Sequence, residues 1–146
     1  MKKCSDLMTS SPVCCLQSDT VLSAAKLMKK GNVGSIPVIA AEQTKKLIGI
    51  VTDRDLALKV VAEGRDAKST KVADVMTHKV ITCRVDDDIQ KAVDAMAQYQ
   101  LRRIPVVDKD DNILGIISQA DVAIRGVQPE KTAEMVKDIS QPKAEK

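Results

Sequence analysis

Hydrophobic positions along the chain follow two periods, and the sequence runs through both of them twice. Val21, Ala24, Ala25 and Met28 fall at i, i+3, i+4 and i+7, the spacing of one buried helical face, and Ile89, Ala92, Val93 and Met96 repeat the stripe. A short β run precedes each helix: Val13-Cys14-Cys15-Leu16 in the first copy and Val80-Ile81-Thr82-Cys83 in the second. Ser18 or Asp19, and Asp86 or Asp87, are placed to cap the two helices. Beyond each helix come two aliphatic, β-branched runs. They are Ile36-Pro37-Val38-Ile39 with Leu47-Ile48-Gly49-Ile50-Val51, and Ile104-Pro105-Val106-Val107 with Ile113-Leu114-Gly115-Ile116-Ile117. A polar turn joins each pair, and Asp108-Lys109-Asp110-Asp111-Asn112 carries strong turn chemistry. A second helix is predicted to begin at Thr52 or Ser118. Each copy therefore reads β-α-β-β-α. A lone copy would leave an apolar sheet face uncovered, and two copies packed through their sheets would bury it.

The duplication is visible residue by residue. An offset of 68 places Met8 on Met76, Thr9 on Thr77, Cys15 on Cys83, Asp19 on Asp87 and Ile36-Pro37-Val38 on Ile104-Pro105-Val106. Two residues inserted in the first copy, around Glu42-Gln43-Thr44, change the offset to 66, and Gly49-Ile50 then meets Gly115-Ile116 and Asp55 meets Asp121. A period this long marks two copies of one small subdomain rather than a solenoid. Pro37 and Pro105 are expected at equivalent strand positions.

Composition narrows the function. The 146 residues include no Phe and no Trp, and Tyr99 is the one aromatic. The core must be built from Val, Ile, Leu, Ala and Met, and the aromatic platforms on which single-stranded nucleic acids stack are almost missing. The net charge of +3 is spread over interleaved acidic and basic residues with no basic run, so nothing favours a nucleic-acid surface. No hydrophobic stretch reaches the length of a bilayer span, and Met1-Lys2-Lys3-Cys4-Ser5-Asp6 lacks the apolar run of a secretory signal. A cytoplasmic location is expected. Cys4, Cys14, Cys15 and Cys83 form no C-x-x-C pair, and His78 is the one histidine, so no metal set is spaced for zinc. The cysteines read as small, buried or half-buried thiols, with a redox or metal role as the alternative. Cys14 and Cys15, adjacent on a strand, should point to opposite faces. His78, with no orienting partner or nucleophile, reads as an exposed loop residue.

Asp74-Val75-Met76-Thr77, the two Ile-Pro-Val runs, and the strand ends Gly49-Ile50-Val51-Thr52-Asp53-Arg54-Asp55 and Gly115-Ile116-Ile117-Ser118-Gln119-Ala120-Asp121 recur in order. Together they resemble the cystathionine-β-synthase (CBS) domain pair over about residues 5 to 126. The resemblance implies an α+β fold of two β-α-β-β-α CBS repeats packed as a pseudo-twofold pair. The chain is read as repeat 1 over residues 5–62, a polar linker over 63–70, repeat 2 over 71–126 and a charged C-terminal tail over 127–146, in which 129–140 is a candidate helix. In this family the clefts between repeats take adenosine compounds, and a stand-alone pair is expected to act as a regulatory module rather than an enzyme.

The G-h-h-[ST]-x-x-D strand ends bear on the same function. Glycine lets a ligand or another backbone approach closely. The hydroxyl and carboxylate stand near a helix N-terminus that favours phosphate, and a carboxylate accepts both hydroxyls of a ribose. The alternative is a simple capping box, with Thr52 or Ser118 at N-cap and Asp55 or Asp121 at N3. By the resemblance, one site would use Ser118 and Asp121, with Arg103 on phosphate and Val13 and Val33 against the base. The other would use Thr52, Arg54 and Asp55, with Ile81 and Leu101 near the base and Arg102 as a further phosphate ligand. Gly34 and Ser35 stand where the second copy has Arg102-Arg103, so the two sites should differ in anion affinity. An arginine pair on a solvated loop is the other reading of those residues.

The expected ligand is AMP, ADP or ATP, with S-adenosylmethionine and NADH as other adenosine carriers, and no cofactor is required. The expected partners are that nucleotide, a second copy of the chain through apolar second-helix residues Leu56, Leu58, Val60 and Val61, and a regulated protein. Neither a membrane nor a nucleic acid is among them. Two alternatives stand beside this reading: an interaction protein with empty clefts, and a nucleotide hydrolase built on Asp86-Asp87-Asp88.

Overall fold

β-Branched and aliphatic runs pair into two small sheets, one from each copy. In the computed structural model, which describes residues 2–125 and residue 139, the chain divides into two compact units. One is contiguous, Val13–Val80; the other is composite, joining the chain up to Pro12 to the chain from Ile81 onward.

In the contiguous unit β2 (Cys15–Leu16) runs parallel to β3 (Ser35–Ile39), which pairs antiparallel with β4 (Leu47–Thr52). The helix between β2 and β3 is α2 (Val21–Gly31). After β4 come α3 (Asp53–Leu56), a π-helical turn over Ala57–Val61, and a 3-10 turn at Val72–Asp74. The composite unit repeats the plan with β5 (Cys83–Arg84), α4 (Ile89–Tyr99), β6 (Arg103–Val107), β7 (Ile113–Ser118) and α5 (Gln119–Arg125). To these it adds α1 (Cys4–Leu7) and β1 (Thr9–Ser10), giving the sheet order β1-β7-β6-β5. The expected β-α-β-β-α order is present in both copies. The helix expected from residue 129 to 140 and the tail from 127 lie outside the described residues, save Ile139, which packs half-buried against the core of the composite unit.

The predicted helical stripes are the buried ones: Val21, Ala24 and Met28 in α2, and Ile89, Ala92, Val93 and Met96 in α4, while Ala25 is only half-buried. The caps sit later than expected. Thr20 Oγ1 accepts from Ser23 N–H at 3.2 Å, and Asp88 Oδ1 from Gln90 N–H at 2.9 Å. The residues before them close the preceding turn instead, with Asp19 Oδ2 accepting from Leu16 N–H and Asp87 Oδ2 from Arg84 N–H. A side chain already folded back on its own turn is not available to the helix, so the next polar residue takes the cap. The first strands are also shorter than expected. Val13 is 59% exposed, while Cys15 is buried and Cys14 half-buried, in keeping with opposite faces. Between β6 and β7, Asp108 Oδ1 accepts from the N–H groups of Asp110 (2.8 Å) and Asn112 (3.0 Å), and these bonds hold its carboxyl below the usual range.

Pro37 and Pro105 occupy equivalent positions, opposite Ile50 and Ile116. Each lies in a middle strand, where proline's missing N–H ought to cost a ladder bond. Here it does not. Ile50 gives its N–H and C=O to Thr77 (2.9 and 2.8 Å), away from β3, and β2 reaches only Val38 and Ile39, one residue past the proline. β5 likewise reaches only Val106 and Val107.

The segment leading into each copy packs in the other copy's unit. Val72–Met76 lie with copy one: Val72 N–H donates to Asp19 O (2.8 Å) and Ala73 N–H to Gln17 O (3.0 Å). Cys4 and Ser5 make the same bonds in the composite unit, to Asp87 O (2.9 Å) and Val85 O (3.1 Å). The strand glycines are explained by this exchange. A Cβ on Gly49 would lie 2.9 Å from both Met76 Sδ and Thr77 O, and one on Gly115 would lie 2.5 Å from Met8 Sδ and 2.9 Å from Thr9 O. Of the two reasons for glycine read from the sequence, the close approach of another backbone is the one seen.

Candidate functional site

Each unit carries one strand-to-helix junction built from the predicted residues. In the composite unit β7 ends at Ser118 and α5 starts at Gln119. Ser118 N–H donates to Asp121 Oδ2 at 2.9 Å and Asp121 N–H to Ser118 Oγ at 3.1 Å, so the two residues form a reciprocal capping box. Arg103, the first residue of β6, is the register partner of Ser118, and its side chain is exposed. A hydroxyl, a carboxylate and a guanidinium therefore come from neighbouring backbone positions. Arg102, also exposed, accepts Gln119 N–H on its carbonyl at 2.9 Å. Ile81 and Leu101 belong to this unit and are half-buried against its core.

The contiguous unit repeats the box: Thr52 N–H to Asp55 Oδ2 (3.0 Å) and Asp55 N–H to Thr52 Oγ1 (3.1 Å). Here Ser35 is the register partner, so no cation stands at the position of Arg103. Arg54 is exposed on the first turn, Val33 is half-buried against the core, and Val13 is exposed. The capping alternative is thus realised in both copies, and it engages one carboxylate oxygen of each aspartate. The second oxygen of Asp55 is taken by Lys59 Nζ at 3.1 Å, and the same ammonium donates to Val75 O at 3.0 Å. Asp121 Oδ1 has no partner among the described residues, and Arg125 follows it at the spacing of Lys59 from Asp55.

The helix N-termini are not the open phosphate cradles that the signature suggests. In the contiguous unit all three leading N–H groups are engaged: Asp53 to Gly34 O (2.9 Å), Arg54 to Asp53 Oδ1 (2.8 Å) and Asp55 to Thr52 Oγ1. Asp53 also brings its carboxylate against Gly34, where a Cβ would meet Oδ2 at 2.9 Å. The second copy has neutral Gln119 at that place and arginines at the positions of Gly34 and Ser35. Of its leading N–H groups, Gln119 and Asp121 are engaged, and Ala120 has no partner among the described residues. The expected difference in anion affinity therefore has two sources, the arginines and the missing Asp53. The second of these was not anticipated.

His78 is exposed. Among the described residues no three His, Cys, Asp or Glu come together as a metal site, and no helix is long and apolar enough to cross a membrane.

The duplicated junctions, with their Ile-Pro-Val strands and crossing Met-Thr segments, match a known family twice. The model of the CBS domain covers residues 4–62 and again 72–125. The chain belongs to the CBS domain family. The uncharacterized protein YlbB of Bacillus subtilis is 39% identical over 141 residues, 97% of this chain and 93% of that protein. Among solved structures, the CBS domain pair of protein MJ0100 in complex with 5′-methylthioadenosine and S-adenosyl-L-methionine matches with a TM-score of 0.71 at 27% identity, covering 84% of this chain and 94% of that one. CBSX2 in complex with AMP matches with a TM-score of 0.71 at 26% identity over the same shares. This CBS pair is thus similar in fold, along most of its length, to relatives solved with adenosine compounds.

Proposed function

We propose that this CBS pair is a cytoplasmic regulatory module that binds an adenosine phosphate (AMP, ADP or ATP), with the main contacts at the Ser118–Asp121 junction. The observation that carries the reading is the pairing of Arg103 with Ser118 across β6 and β7, beside the Asp121 capping box. Asp121 accepts from the ribose hydroxyls, and Arg103 grips phosphate oxygens in a fork. The complexes of MJ0100 and CBSX2 support the ligand class. The junction of Thr52, Arg54 and Asp55 is the weaker anion site, because Asp53 adds a negative charge there. Binding, which shifts a partner surface, is the proposed activity, and no chemical step is assigned.

Isothermal titration tests the roles. Charge-assisted hydrogen bonds contribute about 1.5–3 kcal/mol, so Arg103→Ala should weaken AMP by roughly ten- to a hundred-fold and leave adenosine nearly unchanged. Asp121→Asn keeps an oxygen for the Ser118 N–H and should weaken both ligands. Equal losses of AMP and adenosine in Arg103→Ala would remove the phosphate assignment.

The module is further proposed to be a homodimer. Leu56 and Val60 pack on the core, but Val61 is 77% exposed, Ile124 80% exposed, and Leu58 is exposed as well. A second copy covering these side chains fits their apolar character. Light scattering at micromolar concentration should return twice the chain mass, and a monomer mass would exclude the dimer.

A further inference from the structure

Cys4 and Cys83 meet in the core of the composite unit. Cys4 opens α1, whose backbone is bonded to the turn after β5 through Asp87 O and Val85 O, and Cys83 lies on β5 itself. Both belong to one hydrophobic cluster, at 0% and 4% exposure, and each thiol lies near enough to shift the other's titration. Cys83 Sγ also lies 3.8 Å from Pro105 O. The other copy shows what this position needs for packing alone. There the residue equivalent to Cys4 is Val72, fully buried and bonded in the same way to Asp19 O, and it faces a unit whose strand cysteine, Cys15, has no such thiol beside it. An aliphatic side chain satisfies the fold, so the thiol at Cys4 adds chemistry that the architecture does not require.

We propose that Cys4 and Cys83 are a reversible thiol–disulfide site that reacts with low-molecular-weight disulfides and, when oxidised, fastens α1 to β5. α1 is a single turn, a length with little stability of its own, so it opens locally and exposes Cys4. The Cys4 thiolate attacks one sulfur of R–S–S–R, forming Cys4–S–S–R and releasing R–S⁻, which takes up the proton that Cys4 lost. As α1 closes, the Cys83 thiolate attacks the Cys4 sulfur, the Cys4–S–S–Cys83 bond forms, and a second R–S⁻ leaves to take up the proton of Cys83. The protein dithiol is oxidised by two electrons and the small disulfide is reduced to two thiols. The sulfurs must close to the ~2.05 Å of a disulfide, and α1, a one-turn helix, is the element that shifts to allow it. The order of attack follows from the pair's asymmetry. The neighbouring Cys83 lowers the Cys4 thiol, against burial and the carboxylates of Asp87, Asp88 and Asp86, while Cys4 and burial push Cys83 well up. The other two cysteines do not compete. Burial, Asp19 and Cys14 push Cys15 up to about 12, and burial raises Cys14 as well.

The test uses the reduced full chain and excess glutathione disulfide. Of the four thiols, two should disappear, with an intact mass lower by about 2 Da. An unreduced peptide map should link Cys4 to Cys83. The bond closes a loop of about 80 residues, so the unfolding midpoint should rise by roughly 10 °C and return on adding dithiothreitol. Cys4→Val copies the side chain at Val72 and should fold normally while losing both the mass change and the midpoint shift. Four thiols left after prolonged oxidation, a bridge involving Cys14 or Cys15, or stable glutathione adducts in place of a bridge would each overturn the proposal. So would a Cys4→Val protein that behaved like the wild type.

Discussion

Gly115→Val should lower stability by about 3 kcal/mol, at the upper end of what overpacking a fitted interior costs. The side chain would have to enter space held on one side by Met8 Sδ, 2.5 Å from an ideal Cβ, and on the other by Thr9 O at 2.9 Å. Methionine is adaptable, but the Thr9 backbone is fixed by its pairing with Ile116. Relief therefore requires β1 to leave the sheet and to draw Leu7 and Cys4 with it. For a chain of this size the loss corresponds to a fall of roughly 6–12 °C in the unfolding midpoint. Gly49→Val should behave alike through Met76 and Thr77. An unchanged midpoint for Gly115→Val would show that the Met-Thr segment does not cross there. Gly115 also lies three residues before Ser118, inside the signature assigned to ligand binding. Affinity lost in this variant should thus follow the fraction unfolded, whereas affinity lost in Arg103→Ala should not.

Leu7→Ala should cost about 3 kcal/mol, within the usual range for removing a buried leucine. Leu7 lies outside the β-α-β-β-α pattern of either copy, yet it is fully buried in the core that contains Ile104, Ile117 and Met96. A residue merely preceding repeat 1 would be tolerant of truncation. In urea the midpoint should fall by roughly 1–2 M with an unchanged slope, and hydrogen exchange should report the loss in β6 and β7 rather than in β3 and β4. A loss confined to β3 and β4 would place the segment with the wrong copy.

The duplication made most of the fold legible. Two stripes at one spacing and two Ile-Pro-Val runs are hard to produce by chance, and each copy checks the other. Caps were legible only to within a residue or two, because Asp19 and Asp87 have the right chemistry but spend it on the turn before the helix. The exchange of leading segments was not legible. Asp6-Leu7-Met8 and Asp74-Val75-Met76 are alike, and nothing local says which sheet edge each will join. At the candidate site the hydroxyl–carboxylate pairs were readable, and so was their alternative as capping boxes. The bond from Asp53 N–H to Gly34 O depends on two strands meeting, so no local pattern announces it. Lys59 on Asp55 is different. An acid four residues before a lysine on a helix is a readable pair, and that signal was missed.

The exchanged segments also set an order of events on the ribosome. Residues 13–80 hold all of their own unit, so that half can fold as soon as it has emerged. Cys4, Leu7 and Met8 emerge well before β6 and β7, which receive them and extend to Ser118. At about 5–20 residues per second the nascent chain carries that apolar segment uncovered for roughly 5–20 s. Throughout that interval Leu7 is available to chaperones and the Cys4 thiol to any oxidant, so a segment made before the strands that cover it is protected only after them.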